Sequence, residues 1–275
     1  VGRELEAKVE PTENPKRILI AGGGVAGMEA ALILDKRGNE VVIAEKENQL
    51  GGRFSIAGKA PRKEEMSRCV KEMIAAIERS NITVWTQTDA TKAYAQQSFD
   101  VVICGIGAKP LVLPIEGISN DWVYHAEDVL LGNVIVSGEV AIIGGGLVGL
   151  ETAEFCAQQG CNVTVVEMTD AIGNGLGDLR SICVKRSLEE TSTITIERST
   201  KVKRILDAGL EVESPNGTKV IAADYAIIAT GYRSNDTEAF ISTFDDAEVI
   251  SIGDARAPRK AIDAIREGFD VALSL

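Results

Sequence analysis

Several residue types are scarce in this chain of 275 residues. Aromatic residues make up 4% of it, and histidine occurs once, as His125. A lone histidine excludes a His-rich metal site and leaves a His-based catalytic triad without support. The five cysteines, Cys69, Cys104, Cys156, Cys161 and Cys183, form no CxxC pair. A thioredoxin-type dithiol and a paired-cysteine zinc site are thereby excluded, and the spacing is not that of a secreted disulfide framework. Basic residues are in deficit: 29 Lys and Arg stand against 41 Asp and Glu, a net charge of −12. That balance argues against a nucleic acid or an anionic membrane surface as partner. Long apolar runs are also missing. The most apolar stretch, Ile18 to Leu34, is broken by Gly22, Gly23, Gly24, Gly27 and Glu29, so it does not read as a membrane span. The opening Val1-Gly2-Arg3-Glu4-Leu5-Glu6 has no apolar core of a signal peptide, and the expected location is the cytoplasm. It also begins without Met, and the expectation is a piece of something larger.

What is present is a globular composition, 45% hydrophobic and 25% charged, with a length that suits about two domains. The 27 glycines cluster, and the clusters expose a repeat. Arg17-Ile18-Leu19-Ile20-Ala21 reads as a strand, followed by Gly22-Gly23-Gly24-Val25-Ala26-Gly27 and a helix from Met28 to Lys36. A second strand, Glu40 to Ala44, runs into Glu45. The pattern returns as Glu139 to Ile143, Gly144-Gly145-Gly146-Leu147-Val148-Gly149, a helix from Leu150 to Gln159, and Asn162 to Val166 ending at Glu167. In both copies the acid follows the first glycine by 23 residues.

The physics of this pattern is specific. The first glycine permits the sharp strand-to-helix turn, the second lets the backbone approach a pyrophosphate, and the third lets helix and strand pack closely. The helix start then offers free N–H groups and about half a positive charge to the phosphates. The acid accepts hydrogen bonds from an adenosine ribose. One copy alone has a bland explanation in close packing; two copies with the acid at the same offset predict two dinucleotide sites.

Further along, Pro61-Arg62-Lys63-Glu64-Glu65 reads as a helix start with Pro first. Met66, Val70, Met73, Ile74 and Ile77 follow at helical spacing as a core stripe. Asn81 to Gln87 and Phe99 to Cys104 read as strands, the latter entering Gly105-Ile106-Gly107. Its counterpart is Asp224 to Ile228 entering Ala229-Thr230-Gly231. Leu210 to Val220, with Pro215-Asn216-Gly217 at its centre, reads as a hairpin. Val249 to Ile252 leads into Gly253-Asp254, and a helix is expected from Arg259 to Leu273. Cys104 and Cys156 fall in apolar runs and read as packed thiols. His125 reads as a surface or interface residue on a crossover, and Arg259-Lys260 either as a solvated helix start or as groups approaching a bound ligand.

This ordered set resembles the flavoproteins with two dinucleotide-binding domains, the pyridine nucleotide-disulfide oxidoreductase-like proteins. The resemblance implies an α/β fold of two Rossmann-like FAD/NAD(P)-binding domains, the second inserted in the first. The implied limits are a linker over 1–15, FAD-binding parts over 16–110 and 226–275, and an NAD(P)H-binding domain with its crossover over 111–225. It implies that Gly22, Gly24, Gly27, Glu45, Gly52, Arg53, Gly107, Gly253 and Asp254 hold FAD. Glu45 would bind the ribose and Asp254 the ribityl chain. Gly144, Gly146, Gly149 and Glu167 would hold NADH, and Gly231 is a further cofactor-binding position. The segment before Gly107 departs from the family in carrying Ile106 where Thr is usual.

A narrower likeness rests on Leu50-Gly51-Gly52-Arg53-Phe54, on Pro61 to Glu65, and on Pro258 to Gly268. These segments resemble the C-terminal part of 2,4-dienoyl-CoA reductase, 2-enoate reductase and related NADH:flavin oxidoreductases of the old yellow enzyme type. There an FMN-binding barrel and the cysteines of a [4Fe–4S] cluster come first, and this chain contains neither. The implied role is that of a fragment or subunit passing hydride from NADH to bound flavin, with an FMN and iron–sulfur domain or subunit as electron acceptor. Hydride transfer needs no general acid or base, so no catalytic residue is implied. Two other readings stay open. One is a non-catalytic module holding ADP in place of FAD, as in trimethylamine dehydrogenase; the other is an electron-transfer flavoprotein like ferredoxin reductase. NADH is favoured over NADPH, because Glu167 would repel a 2′-phosphate and Met168-Thr169-Asp170 supplies no cation.

Overall fold

The computed structural model describes residues 8–173, 177, 182, 184, 186–188, 191–244 and 247–275. Val1 to Glu6 and Cys183 lie outside the described residues. By its internal contacts the chain forms two compact units, Val1–Gly58 with Glu64–Lys109 and Tyr232–Leu275, and Lys59–Lys63 with Pro110–Gly231. Among the described residues no helix is long and apolar enough to cross a membrane.

The first unit starts with strand β1 (Arg17–Ala21), helix α1 (Val25–Lys36), strand β2 (Glu40–Ala44) and the short helix α2 (Gly52–Ala57). Helix α3 (Glu64–Glu78), β3 (Thr83–Trp85), α4 (Ala90–Gln96), β4 (Val101–Cys104) and β5 (Ala108–Pro110) follow. The second unit contains β6 (Val123–His125), α5 (Ala126–Leu130), β7 (Glu139–Ile143), α6 (Leu147–Gln158), β8 (Asn162–Val166) and β9 (Ile194–Glu197). It ends with β10 (Lys201–Leu206), β11 (Gly209–Ser214), β12 (Gly217–Ala222) and β13 (Tyr225–Ile228). The chain then returns to the first unit with β14 (Tyr232–Ser234), α7 (Thr237–Ile241), β15 (Glu248–Ser251), a 3-10 turn (Gly253–Ala255) and α8 (Ala261–Ser274).

Each unit is built on a five-stranded parallel sheet, in the order β15-β4-β1-β2-β3 and β6-β13-β7-β8-β9. Successive side chains of a strand point to opposite faces, and here both faces are covered, which is why the strands read as unbroken apolar runs. In the first sheet Ile18, Ile20, Val41, Ile43 and Ile103 pack with Met28, Ala30 and Leu34 of α1 and with Ala264 and Ala272 of α8. Leu19, Ala21, Val42 and Val102 turn the other way, onto Ala90, Ala93, Phe99 and Phe244. In the second sheet Val140, Ile142 and Val165 pack on Leu150, Ala153 and Cys156 of α6. Ala141, Ile143 and Val166 meet Val202, Ile205, Leu210 and Val212 of the antiparallel meander β10-β11-β12.

The mixed α/β architecture with two parallel sheets was expected; several details differ. The helix read from Pro61 begins at Glu64. Arg62 takes a left-handed φ of 61° that no helix continues through. The segment is instead drawn onto α6: Lys63, buried, pairs with Glu151 at 2.5 Å, and Arg62 pairs with Glu154. The limit expected after residue 225 moves to Gly231, because Tyr225–Ile228 lies between β6 and β7 at the heart of the second sheet. The described part of the expected linker is tied down, with Val9 against the core and Thr12 N–H donating to Arg37 O at 2.8 Å. Elements not read from the sequence, such as α2, α4, β9 and β10, are short or irregular in pattern.

Candidate functional site

Both glycine loops sit at the carboxyl edge of their sheets, where β1 passes into α1 and β7 into α6. Gly22 has φ 104°, and a Cβ there would overlap the Gly105 carbonyl oxygen. A Cβ on Gly27 would overlap the Gly22 oxygen. Gly144 and Gly149 repeat these constraints, against Ala229 O at 2.7 Å and against Gly144 O. These four glycines are required by the turn and by helix-on-strand packing.

Gly24 and Gly146 are different. Their backbones are extended, φ −70° ψ 178° and φ −74° ψ −172°, which any residue adopts. A Cβ at either would meet nothing within 4 Å. The protein itself gives no reason for glycine at these two positions, directly before the helix N-termini. A group that must approach the backbone closely does, and a pyrophosphate bound at a helix N-terminus is such a group. The residues therefore fit the two dinucleotides.

The two acids are set alike. Glu45 is buried and accepts from Gly23 N–H through Oε2 at 2.7 Å and from Glu47 N–H through Oε1 at 2.8 Å. Glu167 accepts from Gly145 N–H through Oε2 at 2.7 Å. Its Oε1 accepts from the Thr169 N–H at 2.8 Å and hydroxyl at 2.7 Å. Burial acts to raise the Glu167 carboxyl, but the hydrogen bonds from Gly145, Thr169 and Met168 outweigh it and hold the group below the usual carboxylate value. Each carboxylate braces its glycine loop from the tip of the next strand.

Of the remaining candidates of the first unit, Gly52 lies against the first loop. Gly51 N–H donates to Gly23 O at 2.8 Å, and a Cβ on Gly52 would stand 3.1 Å from Gly24 Cα. The Arg53 guanidinium lies 3.9 Å from the Tyr232 ring centroid and donates to Ala108 O at 2.5 Å. Gly107, at φ 71°, accepts from Asn235 N–H at 3.1 Å. Gly253, at φ 60°, donates to Glu267 Oε2 at 2.8 Å, and Asp254 Oδ1 accepts from Arg259 N–H at 3.3 Å. Arg259 is itself paired with Glu267, and Lys260 N–H donates to Asp263 at 3.2 Å. In the second unit Gly231, at φ 97°, accepts from Leu111 N–H at 2.9 Å. His125 ends β6 beside Ile228 of β13, its Nδ1 buried and without a hydrogen-bond partner among the described residues. Cys104 and Cys156 are buried thiols; burial raises both, and Cys156, with Cys161 nearby, is pushed up to about 12.

The sequence pattern of the family described as pyridine nucleotide-disulphide oxidoreductase matches residues 17–255. The chain belongs to that family. The family implies FAD and NAD(P)H as the two dinucleotides. This pyridine nucleotide-disulphide oxidoreductase chain is 35% identical over 98% of its length to bilirubin reductase from Mediterraneibacter gnavus, of which it covers 42%. It is 34% identical over its whole length to cinnamate reductase from Clostridium sporogenes, of which it covers 41%. A 2-naphthoyl-CoA reductase complex with 2-naphthoyl-CoA superimposes with a TM-score of 0.92 at 29% identity, over 98% of this chain and 41% of that one. The likeness to the enoate and dienoyl-CoA reductases is borne out by these relatives. The chain spans about two fifths of their length. Despite the family's name, it has no CxxC pair to form a redox disulfide.

Proposed function

We propose that this chain is the FAD- and NADH-binding part of a longer flavin-dependent reductase, and that it passes hydride from NADH to bound flavin. The first unit, with its segments up to Gly58, Glu64–Lys109 and Tyr232–Leu275, takes FAD; the second, Lys59–Lys63 with Pro110–Gly231, takes NADH. The observation that carries the reading is the pair Gly24 and Gly146, glycines with open space where a Cβ would be, each directly before a helix start.

When bound, FAD supplies the hydride-accepting chemistry, and the protein contributes orientation and electrostatics. Free N–H groups at the start of α1 and of α6 hold the pyrophosphates in place. Glu45 and Glu167 keep lone pairs for ribose hydroxyls while their other contacts fix the loops. Asp254 would hold a hydroxyl of the ribityl chain, and Gly52, Arg53, Gly107 and Gly253 would hold the cofactor beside it. Glu167, charged and held, disfavours a 2′-phosphate, so NADH is the preferred donor. No side chain is required to move a proton in this half-reaction. The acceptor of the electrons is an FMN and iron–sulfur domain or subunit, consistent with relatives more than twice this chain's length.

The test is to denature the purified protein, identify the released nucleotide by mass, and titrate the intact protein with NADH without oxygen. Released FAD whose absorbance bleaches with NADH is the expected result. ADP from protein that takes up no added FAD would make the first unit a structural nucleotide holder and overturn the reading.

A further inference from the structure

The nucleotide edge of the second unit does not end at Glu167. Glu197, the last residue of β9, is in register with Val166, and Glu167 N–H donates to Glu197 O at 2.8 Å. Ser199 and Thr200 then return N–H groups to Thr169 O and Glu167 O, each at 2.9 Å. Arg198 therefore leaves the backbone about one strand spacing, ~5 Å, from Glu167. The tip of β9, Asp170 and the turn between β11 and β12 line a cavity of about 290 Å³, half open to solvent, whose charged lining is Asp170, Glu197, Arg198 and Lys219. Lys219 is committed to Glu197, Nζ to Oε1, at 2.8 Å. The Arg198 guanidinium is exposed and makes no hydrogen bond or ion pair among the described residues.

An uncommitted guanidinium at the mouth of a cavity, next to the carboxylate that meets the adenosine ribose, is placed to receive an anion on that ribose. We propose that Arg198 is the 2′-phosphate-reading residue of this site: the cavity receives the phosphorylated ribose edge of a nicotinamide nucleotide, and the Glu167 carboxylate, with Asp170 in the lining, opposes it. Guanidinium forks match phosphate oxygens in geometry as well as charge. The inference rests on the assignment of a pyridine nucleotide to the second unit. It also amends the reading from the sequence, in which Met168-Thr169-Asp170 offered no cation; β8–β9 pairing brings one from 31 residues downstream of Glu167.

The test is calorimetric titration of NAD⁺ and NADP⁺ onto the full chain as wild type, Glu167→Gln, Arg198→Ala and the double variant. Gln is chosen because its carbonyl oxygen still accepts from Gly145 N–H, and the melting temperature of each variant verifies the fold. Glu167→Gln should tighten NADP⁺ by about tenfold, the scale of one charge-assisted hydrogen bond. Adding Arg198→Ala should abolish that gain while NAD⁺ binds the double variant as it binds Glu167→Gln. A gain that survives the loss of Arg198, or no gain at all, overturns the proposal. Equal weakening of NAD⁺ and NADP⁺ by Arg198→Ala overturns it too, because the side chain would then be a platform for adenine. A wild type that binds neither nucleotide refutes the assignment of the second unit itself, a different and separable result.

Discussion

Gly24→Ala is the sharpest test of why the loops are built as they are. At Gly24 the backbone is extended and the added methyl meets nothing within 4 Å, so the ligand-free protein has no reason to resist it. Where the native backbone suits alanine, the substitution stabilises by roughly 0.4–1 kcal/mol, because the unfolded chain loses freedom. For a chain of this size that amounts to a melting temperature about 1–4 °C higher, or no measurable change. With FAD present the same methyl stands where the pyrophosphate must lie. An overpacked contact costs about 1–3 kcal/mol, which weakens FAD binding roughly 5- to 150-fold. Gly27→Ala inverts the pattern, since its Cβ overlaps the Gly22 oxygen within the protein and lowers the melting temperature of the ligand-free form by several degrees. The assay pairs thermal melting of flavin-stripped protein with flavin fluorescence titration. Gly24→Ala protein that binds FAD like wild type, or that melts as early as Gly27→Ala, would refute the argument.

Other consequences can be checked on the same preparations. Lys63→Ala removes one partner of the buried ion pair with Glu151 and should cost about 3–5 kcal/mol by chemical denaturation, most of it regained in Lys63→Met/Glu151→Leu. The Glu167 carboxyl is depressed in the fold, so its stabilising contribution is present above the ordinary value of 4.5 and is lost as pH falls through its lower folded value. The stability difference between wild type and Glu167→Gln should shrink below pH 4.5, and a pH-independent difference would contradict the hydrogen bonds seen here. Cys156 shows the opposite sign. With its thiol pushed up to about 12 from 9.0, native protein keeps it protonated, and stability falls as pH rises above 9 because only the unfolded chain ionises there. Peptide mapping after alkylation should find Cys156 unmodified in native protein and modified in denaturant.

The parts of this fold that could be read from sequence are those where one local rule decides. Ile18 to Ala21 and Val140 to Ile143 are apolar at every position because both sheet faces are covered. The hairpin at Pro215-Asn216 is set by a turn whose next residue, Gly217, takes φ 109°. Where tertiary contacts decide, the pattern misleads. Pro61 looks like a helix start, yet Arg62 and Lys63 are drawn off by Glu154 and Glu151, charges some 90 residues away in the chain. The site was legible to the same degree. Its glycines and acids are a contiguous motif, whereas Arg198 and Lys219 reach the nucleotide edge only through strand pairing and a hairpin, and no spacing within the motif announces them.

The contact between each acid and the middle residue of its glycine loop bears on attempts to redesign donor preference. Glu167 is the obvious residue to exchange for a cation when a phosphorylated donor is wanted. Its Oε2 also fastens the Gly145 amide, and Oε1 fastens Thr169. A substitution such as Glu167→Arg would bring charge of the desired sign and, with it, leave the Gly145 amide without its acceptor. The retained loop shape is a separate design requirement, and an acceptor for that amide has to be supplied by some other group before selectivity and affinity can both be kept.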